Sequence, residues 1–563
     1  MKKLKAFPYI MGGIGALLVL FLGFYFFCPA LNLHNIGIWI LVDFALIVFT
    51  VISRILIGVR DYTVVVNKKK RHPSSIVSSA AELIFSIKYY LAPVVLTIVI
   101  ILLSITGATI FNATNYADII EISEGDFTKD IAESVGTDSI ALMDTSSAQM
   151  LGDREIGELS DVVSQFDVSY EYTQIDYNGK PVKVSALEYA GFFKWVNNRS
   201  SGIKGYVTVD PVSMSATFCS SDGMIYTPSA YFSEDALRHI RMKYPTLMLD
   251  NLHFEIDENG KPYYVISVIE RTVSLFGGKN VSGCITLDPV TGETERYDAE
   301  DIPRWIDVVF YGDLICEQYN WHGMYQNGYF NSLFAKKGCK QVTTYYESEE
   351  EEESSDETHV SDYGYIAKDG DIWIYTGVTS VNGDSSNIGF LLANERTGES
   401  RYYTVAGADE KSAMAAAEGE VQEKGYQASF PSLINIEGHP TYIMVLKDSG
   451  GLVKLYATVN VEQYNIVTTA TTQSECIEKY KSVLGIEEKE EEITEELEVT
   501  VITIASIKYI DIDGNTYIYL IDTENNIFKA KAAANENMLL LSEGDTVEIS
   551  HSESNIVECK TVE

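Results

Sequence analysis

Residues Tyr89 to Phe111 read YYLAPVVLTIVIILLSITGATIF, 23 residues without a charge. At about 1.5 Å per helical residue such a run crosses a bilayer core, and soluble folds rarely use one this long. It divides a greasy, basic beginning from a polar, tyrosine-rich and acidic remainder. Two more apolar segments precede it. The first, Lys2, Lys3 and Lys5 followed by the run Pro8–Cys28, has the basic flank of a signal peptide. The run is long for a signal core, no small-x-small cleavage site follows, and Phe26-Phe27-Cys28 lacks the small residue of a lipoprotein signal. We read it as a retained helix. The second runs from Ile36 to Ser53 and is broken only by Asp43.

Charge sets the expected orientation. Residues 1–112 hold ten Lys/Arg against Asp43, Asp61 and Glu82, net +7; with −38 on the whole chain, the other 451 residues carry −45. Seven basic residues, including Lys68-Lys-Lys-Arg71, fill the loop from Arg54 to Lys88, and none lies at 29–35. By the positive-inside rule the N-terminus and that loop are cytoplasmic and the large acidic portion is outside, a plasma-membrane protein with three transmembrane helices. The acidity excludes nucleic acid as a partner, since phosphates need a basic face. Asp43 is an intramembrane carboxylate and so a functional candidate. No intramembrane Lys, Arg or His accompanies it, and helix packing is the simpler expectation.

Beyond the membrane the sequence repeats. Ile175-Asp-Tyr-Asn-Gly-Lys-Pro181 recurs as Ile256-Asp-Glu-Asn-Gly-Lys-Pro262, more loosely as Ile436-Glu-Gly-His-Pro440, and in degenerate form at Ile366-Ala-Lys-Asp-Gly370. Each joins an apolar strand end to a glycine turn, a hairpin signal. A second element follows each: Tyr206-Val-Thr-Val-Asp-Pro-Val-Ser213, Cys284-Ile-Thr-Leu-Asp-Pro-Val-Thr291, Asn394-Glu-Arg-Thr-Gly-Glu399 and Val459-Asn-Val-Glu-Gln463. These read as strand, tight Asx turn, closing strand. Helices are expected before three hairpins: one marked by Ile156, Leu159, Val162, Val163 and Phe166, one opening at Ser233 and stopped by Pro245, and one from Asp409 to Lys424.

The order helix, FEIDENGKPYYVISV, ITLDPVTGETERY between Ala236 and Tyr297 resembles the PepSY domain, a small extracytoplasmic α+β module. The looser likeness covers residues 155–467, and the whole layout resembles multi-pass membrane proteins of Gram-positive bacteria. The resemblance implies a module that restrains secreted peptidases or binds peptide or envelope ligands. This chain carries no peptidase of its own.

Residues 304–339 are dense in aromatics, among them Trp321, Tyr325, Tyr329 and Phe330. Exposed, these four form a candidate binding surface for sugar rings or peptide; otherwise they are core or an interface between units. Glu347–Glu357 is an acidic linker, and a second acidic stretch, 487–498, precedes the tail. The tail alternates Val501, Thr503, Ala505 and Tyr517, Tyr519 around turn signals, which predicts a small all-β barrel, OB- or SH3-like.

The expected architecture is an anchor at 1–112, PepSY-like units at 113–227, 228–300, 359–405 and 406–484, an aromatic and acidic segment at 301–358, a linker at 485–498 and a barrel at 499–563. Eight scattered histidines show no zinc spacing, and no nucleophile elbow, P-loop or dinucleotide fingerprint occurs. Asp511-Ile-Asp513-Gly514 lacks the later ligands of a calcium loop. Seven cysteines without regular spacing allow one or two disulfides in an oxidising compartment. No catalytic residue, cofactor or metal is expected. The expected function is a non-enzymatic envelope scaffold or ligand-binding protein that modulates a secreted peptidase or holds an envelope protein, peptide or cell-wall glycan. The alternative is an envelope enzyme with an acidic active site.

Overall fold

Two N-terminal helices, Lys2–Phe27 and Ile36–Asn67, form an antiparallel hairpin, and their stretches Ala6–Phe27 and Ile36–Arg60 are long and apolar enough to cross a membrane. Small residues let the two helices approach closely: a Cβ at Gly15 would stand 2.4 Å from Ile52, and one at Gly23 2.2 Å from Leu41. The computed structural model describes residues 2–67, 90–131, 142–157, 159, 164–343, 363–381, 386–486, 498–512, 515–524, 526–532, 536–552 and 554–561. The basic cluster 68–71, the acidic runs 347–357 and 487–497, Val162, Val163 and the Asp513-Gly514 turn lie outside the described residues.

The long run at 89–111 is not one straight helix. A helix Leu91–Thr106 stops at Gly107, and a second, Thr109–Ala117, leaves at 48°. Ala108 is extended at φ −63°, ψ 144°, and Tyr116 folds back so that its hydroxyl donates to the Gly107 carbonyl at 2.9 Å. Sixteen residues make about 24 Å of helix, so the bent pair reaches a span's length only when both pieces count.

The turn between the first two helices and the Thr106 end of the third are tied to the β portion. Leu31 N–H donates to Pro245 O at 2.7 Å, His34 Nδ1 lies 2.9 Å from Leu275 O, and Arg241 Nε donates to Cys28 O at 2.9 Å. Thr106 and Ser274 hydroxyls meet at 2.7 Å. The turn at 28–35 and the end of the 91–106 helix therefore meet the same neighbour, the second sheet.

Among the described residues four mainly antiparallel sheets follow, each led by a helix. The first contains strands Thr173–Tyr177, Lys180–Tyr189, Ile203–Asp210 and Ser215–Met224. The second runs Met248–Ile256, Pro262–Val273, Gly277–Leu287, Thr294–Asp298 in meander order. The third is built on Gly364–Lys368, Asp371–Ser380, Ser386–Asn394 and Ser400–Tyr403, with Ile122–Glu124 added in parallel at its edge. The fourth holds Ser432–Ile436, His439–Lys447, Val453–Asn460 and Val467–Ala470.

The repeated motifs make repeated geometry. Asn178-Gly179, Asp369-Gly370 and Glu437-Gly438 close two-residue hairpins with positive φ at both positions, the twist that matches paired strands. The second-sheet hairpin is longer, closed by Asp257 N–H to Lys261 O at 3.0 Å. Each later turn is held by its Asx side chain. Asp210 Oδ1 accepts from Val212 and Ser213 at 2.8 and 3.0 Å, and Asp288 Oδ1 from Val290 and Thr291 at 2.8 and 3.0 Å. Asn394 Oδ1 accepts from Arg396 and Thr397, both at 2.9 Å, and Asn460 Oδ1 from Gln463 at 2.7 Å.

The sheets pair through their cores. Val184, Leu187 and Val207 of the first pack with Phe254, Tyr264 and Ile285 of the second. Trp373, Phe390 and Leu392 of the third pack with Tyr442, Met444 and Val459 of the fourth. Segment 302–314 covers the outer face of the second sheet and leads into the helix Gly312–Tyr325, which covers the third.

Helix positions differ from expectation in two places. The first runs Thr145–Gly157, and Phe166 begins a strand, because its apolar spacing continues past the helix into sheet core. Asp235, not Ser233, caps the helix Ala236–Lys243, its carboxylate accepting Arg238 N–H at 2.7 Å. The helix Glu410–Glu420 starts after Asp409 as expected. No disulfide joins any of the seven cysteines, where the sequence allows one or two.

The residues from Glu478 form a separate unit built on a closed five-stranded barrel, ordered 498–512, 515–522, 527–531, 555–561, 546–552. Ile502, Ile504, Ile518, Leu520, Val547 and Ile549 fill it.

Candidate functional site

A cavity of about 350 Å³ opens where the two sheet pairs meet. The first pair contributes Gln174 and Lys183 from adjacent strands, with Asn251 and His253. The second contributes Tyr363, Tyr365 and Glu395, with Phe430, Pro431 and Ser432. The crossing segment adds Val308, Tyr311 and Asp313, and the approach to the first sheet adds Asp144, Tyr170, Glu171 and Tyr172.

Lys183, Gln174 and Glu395 are each only 2% exposed. Lys183 and Gln174 are cross-strand partners and so point to the same face. The Lys183 ammonium lies 5.0 Å over the Tyr365 ring and makes no hydrogen bond or ion pair among the described residues. Burial pulls its amine down to about 8, while Asp144 and Glu395 pull the other way. Both polar atoms of the Gln174 amide, Glu395 Oε2 and the Tyr172 hydroxyl have no partner among the described residues.

Glu395 is held from behind. It follows the Asn394 turn, and its backbone carbonyl accepts Val309 and Phe310 N–H at 2.9 and 2.6 Å. Burial raises its pKa well above the ordinary glutamate range, and the nearby Glu255 adds to this. Glu255 lies beneath the floor. Its oxygens accept from Asp307 and Val308 N–H at 2.9 and 3.0 Å, and Oε1 is 2.8 Å from His253 Nε2. Asp307 takes Asp176 N–H at 3.0 Å, leaves Oδ1 without a partner among the described residues, and is raised by burial and by Glu255. Beside it Asp371 is held by Arg396 through two bonds of 2.7 Å.

The result is a walled space with phenolic rings on several sides, one amine, an excess of carboxyl groups and an unused amide. It offers ring faces for stacking and both donors and acceptors for hydroxyl or amine groups. Among the described residues no cluster of side chains has the spacing to hold a metal ion.

The residues singled out in the sequence lie elsewhere. Trp321 is half-buried, edge-on to Tyr116 at 4.9 Å between ring centres. Tyr325 and Tyr329, both half-buried, stack at 6.3 Å, and Phe330 is exposed beside Tyr329. Asp43 Oδ2 accepts from Thr97 Oγ1 at 2.8 Å, which joins the second helix to the 91–106 helix; Oδ1 is buried without a partner among the described residues. Sequence reasoning does not single out the cavity residues Lys183, Gln174 and Glu395. Their sequence signal is a lysine and a glutamine set among β-branched strand residues, normally the mark of an outward face.

No protein-family model matches the chain, and no curated protein does. Among solved structures, a mutant of B. megaterium levansucrase aligns at 9% identity and TM-score 0.19, covering 80% of this chain and 96% of that one. Bacillus subtilis levansucrase aligns at 7% identity and TM-score 0.16, covering 77% and 97%. At such scores neither likeness carries an argument about fold or activity.

Proposed function

We propose that the protein is a membrane-anchored, non-enzymatic ligand-binding protein of the cell envelope, with the cavity between its sheet pairs as the binding site. One observation carries this: buried polar groups on the Gln174 and Glu395 side chains line a cavity without protein partners among the described residues. Such groups ordinarily cost about 1–3 kcal/mol each, and a ligand that pairs with them offsets the cost. The carboxyl excess and the ring faces favour a small ligand bearing amine and hydroxyl groups, an amino-sugar glycan of the wall or the amino end of a peptide. The resemblance to PepSY modules adds weight to peptide, and modulation of a secreted peptidase is one use of such binding.

Three spans, with the N-terminus and the basic residues beyond Arg60 cytoplasmic and the acidic portion outside, complete the reading; the second helix runs on to Asn67, so Arg54 and Arg60 lie on it and not in the loop the sequence suggests. In support, the 28–35 turn and the Thr106 end of the 91–106 helix meet the same sheet, so Arg54 and Arg60 sit toward the far end of the second helix.

Native mass spectrometry of the full-length protein with amino-sugar oligosaccharides and short peptides tests the binding. We expect a one-to-one adduct that Gln174→Leu removes. An adduct unaffected by Gln174→Leu, or none with either class, contradicts the site. An enzyme with an acidic site has one observation in its favour, the depressed amine of Lys183 facing the raised carboxyl of Glu395 across one cavity. Chemically unchanged ligand recovered from the complex decides for binding, and a converted product decides for the enzyme.

A further inference from the structure

Two clusters of exposed aromatic residues flank the helices at their outer ends. The first lies around Phe192–Asn198. Phe192, Trp195, Tyr231 and Phe232 pack ring on ring at 5.0–5.7 Å, while Phe193 is 79% exposed and Phe232 is 52% exposed. Phe232 is one arginine away from the first helix: Arg238 donates from Nη1 to Phe232 O and from Nε to Tyr25 O, its guanidinium 4.9 Å over the Tyr25 ring. Tyr25 sits in the last turn of that helix.

The second cluster follows the helix Gly312–Tyr325. That helix runs antiparallel to the segment after the bilayer run: Ile120 packs with Ile315 and Tyr319, Ala117 O meets His322 Nδ1 at 2.9 Å, and Tyr116 meets Trp321. Its far end therefore lies toward Thr109 and the end of the 91–106 helix. There Phe330 and Phe334 stack at 6.4 Å and 5° between planes, with Phe334 77% exposed and Leu333 beside them. Lys336 and Lys337 come next, two cations on a chain of net charge −38.

We propose that both clusters insert into the headgroup layer of the bilayer crossed by the chain's own helices, and so fix the sheets against the membrane surface. Exposed phenylalanine and leucine side chains gain by burial at the boundary of headgroups and acyl chains, and lysines beside them reach anionic headgroups. A partner protein would need one contiguous face, whereas one cluster is tied to the end of the first helix and the other lies toward the end of the 91–106 helix. The inference rests on the membrane reading, and the test separates the two.

The full-length protein is reconstituted in nanodiscs of phosphatidylcholine and phosphatidylglycerol, with the photoreactive analogue p-benzoylphenylalanine replacing Phe193, Phe334, Phe21 or Tyr464 in turn. Phe21 is exposed on the first helix and Tyr464 is exposed on the fourth unit. Lipid adducts at Phe193 and Phe334 comparable to those at Phe21, and none above background at Tyr464, are expected. Adducts at Phe21 alone overturn the seating and leave the membrane reading intact. Absence at Phe21 overturns both, and adducts at every position overturn the seating as unspecific. Phe232 and Phe330 serve as the labelling pair if either first substitution shifts the unfolding midpoint.

Discussion

Lys183 stands directly opposite Gln174 across the first hairpin, and both side chains are buried on the cavity side of the sheet. A lysine in that place is costly to the fold. Its amine titrates near 8 in the folded protein instead of 10.5, and each unit is worth about 1.4 kcal/mol, so the cost is on the order of 3 kcal/mol. The cost is fully present below pH 8. It declines between the folded value and the unfolded one, where the unfolded chain binds the extra proton. Lys183→Met is therefore expected to raise the midpoint of thermal unfolding at pH 7 and to lose that gain as pH rises toward 10.5. A midpoint that falls at pH 7 means the amine is paired in solution.

Glu395 has the opposite titration. Burial raises its folded pKa, so its cost is absent below the ordinary glutamate range, grows as pH rises above about 4.3, and is complete above the folded value. Glu395→Gln keeps the shape and removes the charge. Unfolding midpoints measured from pH 4 to 8 should coincide at the acid end and separate upward, with the variant the more stable at pH 8.

Arg241 is 3% exposed and donates to three carbonyls, those of Cys28, Tyr244 and Leu247. It clamps the turn between the first two helices onto the second sheet. Arg241→Ala is expected to cost about 2–4 kcal/mol in denaturant unfolding and to speed proteolysis at Leu31–Leu33. Unchanged cleavage there would mean the clamp is not what holds the turn.

Gly179 lies at φ +80°, and a Cβ placed there would meet nothing within 4 Å, so only backbone conformation opposes a side chain. Gly179→Val should cost about 1–2 kcal/mol and leave cavity binding intact. A larger loss, or lost binding, would show that the turn tip has a second role.

These elements differ in how far they were legible in the sequence. The glycine hairpins and Asx turns were readable because turn chemistry is local: Asn178-Gly179 needs positive φ wherever it occurs, and Asp210 or Asp288 needs only its own next residues. The barrel was readable from strict alternation around Val501 and Tyr519. The bend after Thr106 was not, because hydropathy runs on through Gly107 and Ala108 without a break. The helix Gly312–Tyr325 was hidden because its buried residues do not keep to one stripe: Leu314 packs on the second sheet while Ile315, Cys316 and Tyr319 pack on the third. The cavity was least legible. Which face of a strand Lys183 takes depends on a neighbour more than two hundred residues away, Glu395, and no local pattern carries that.

The central claim is that the cavity is kept polar for a ligand and not for the fold. The direct measurement is thermal unfolding of the full-length protein in nanodiscs at pH 7, wild type beside Lys183→Met, with and without amino-sugar oligosaccharides or short peptides. The account predicts that Lys183→Met melts higher by itself, and that a ligand raising the wild-type midpoint leaves the variant unmoved. Equal ligand shifts in both proteins, or no shift in the wild type with either ligand class, would contradict it.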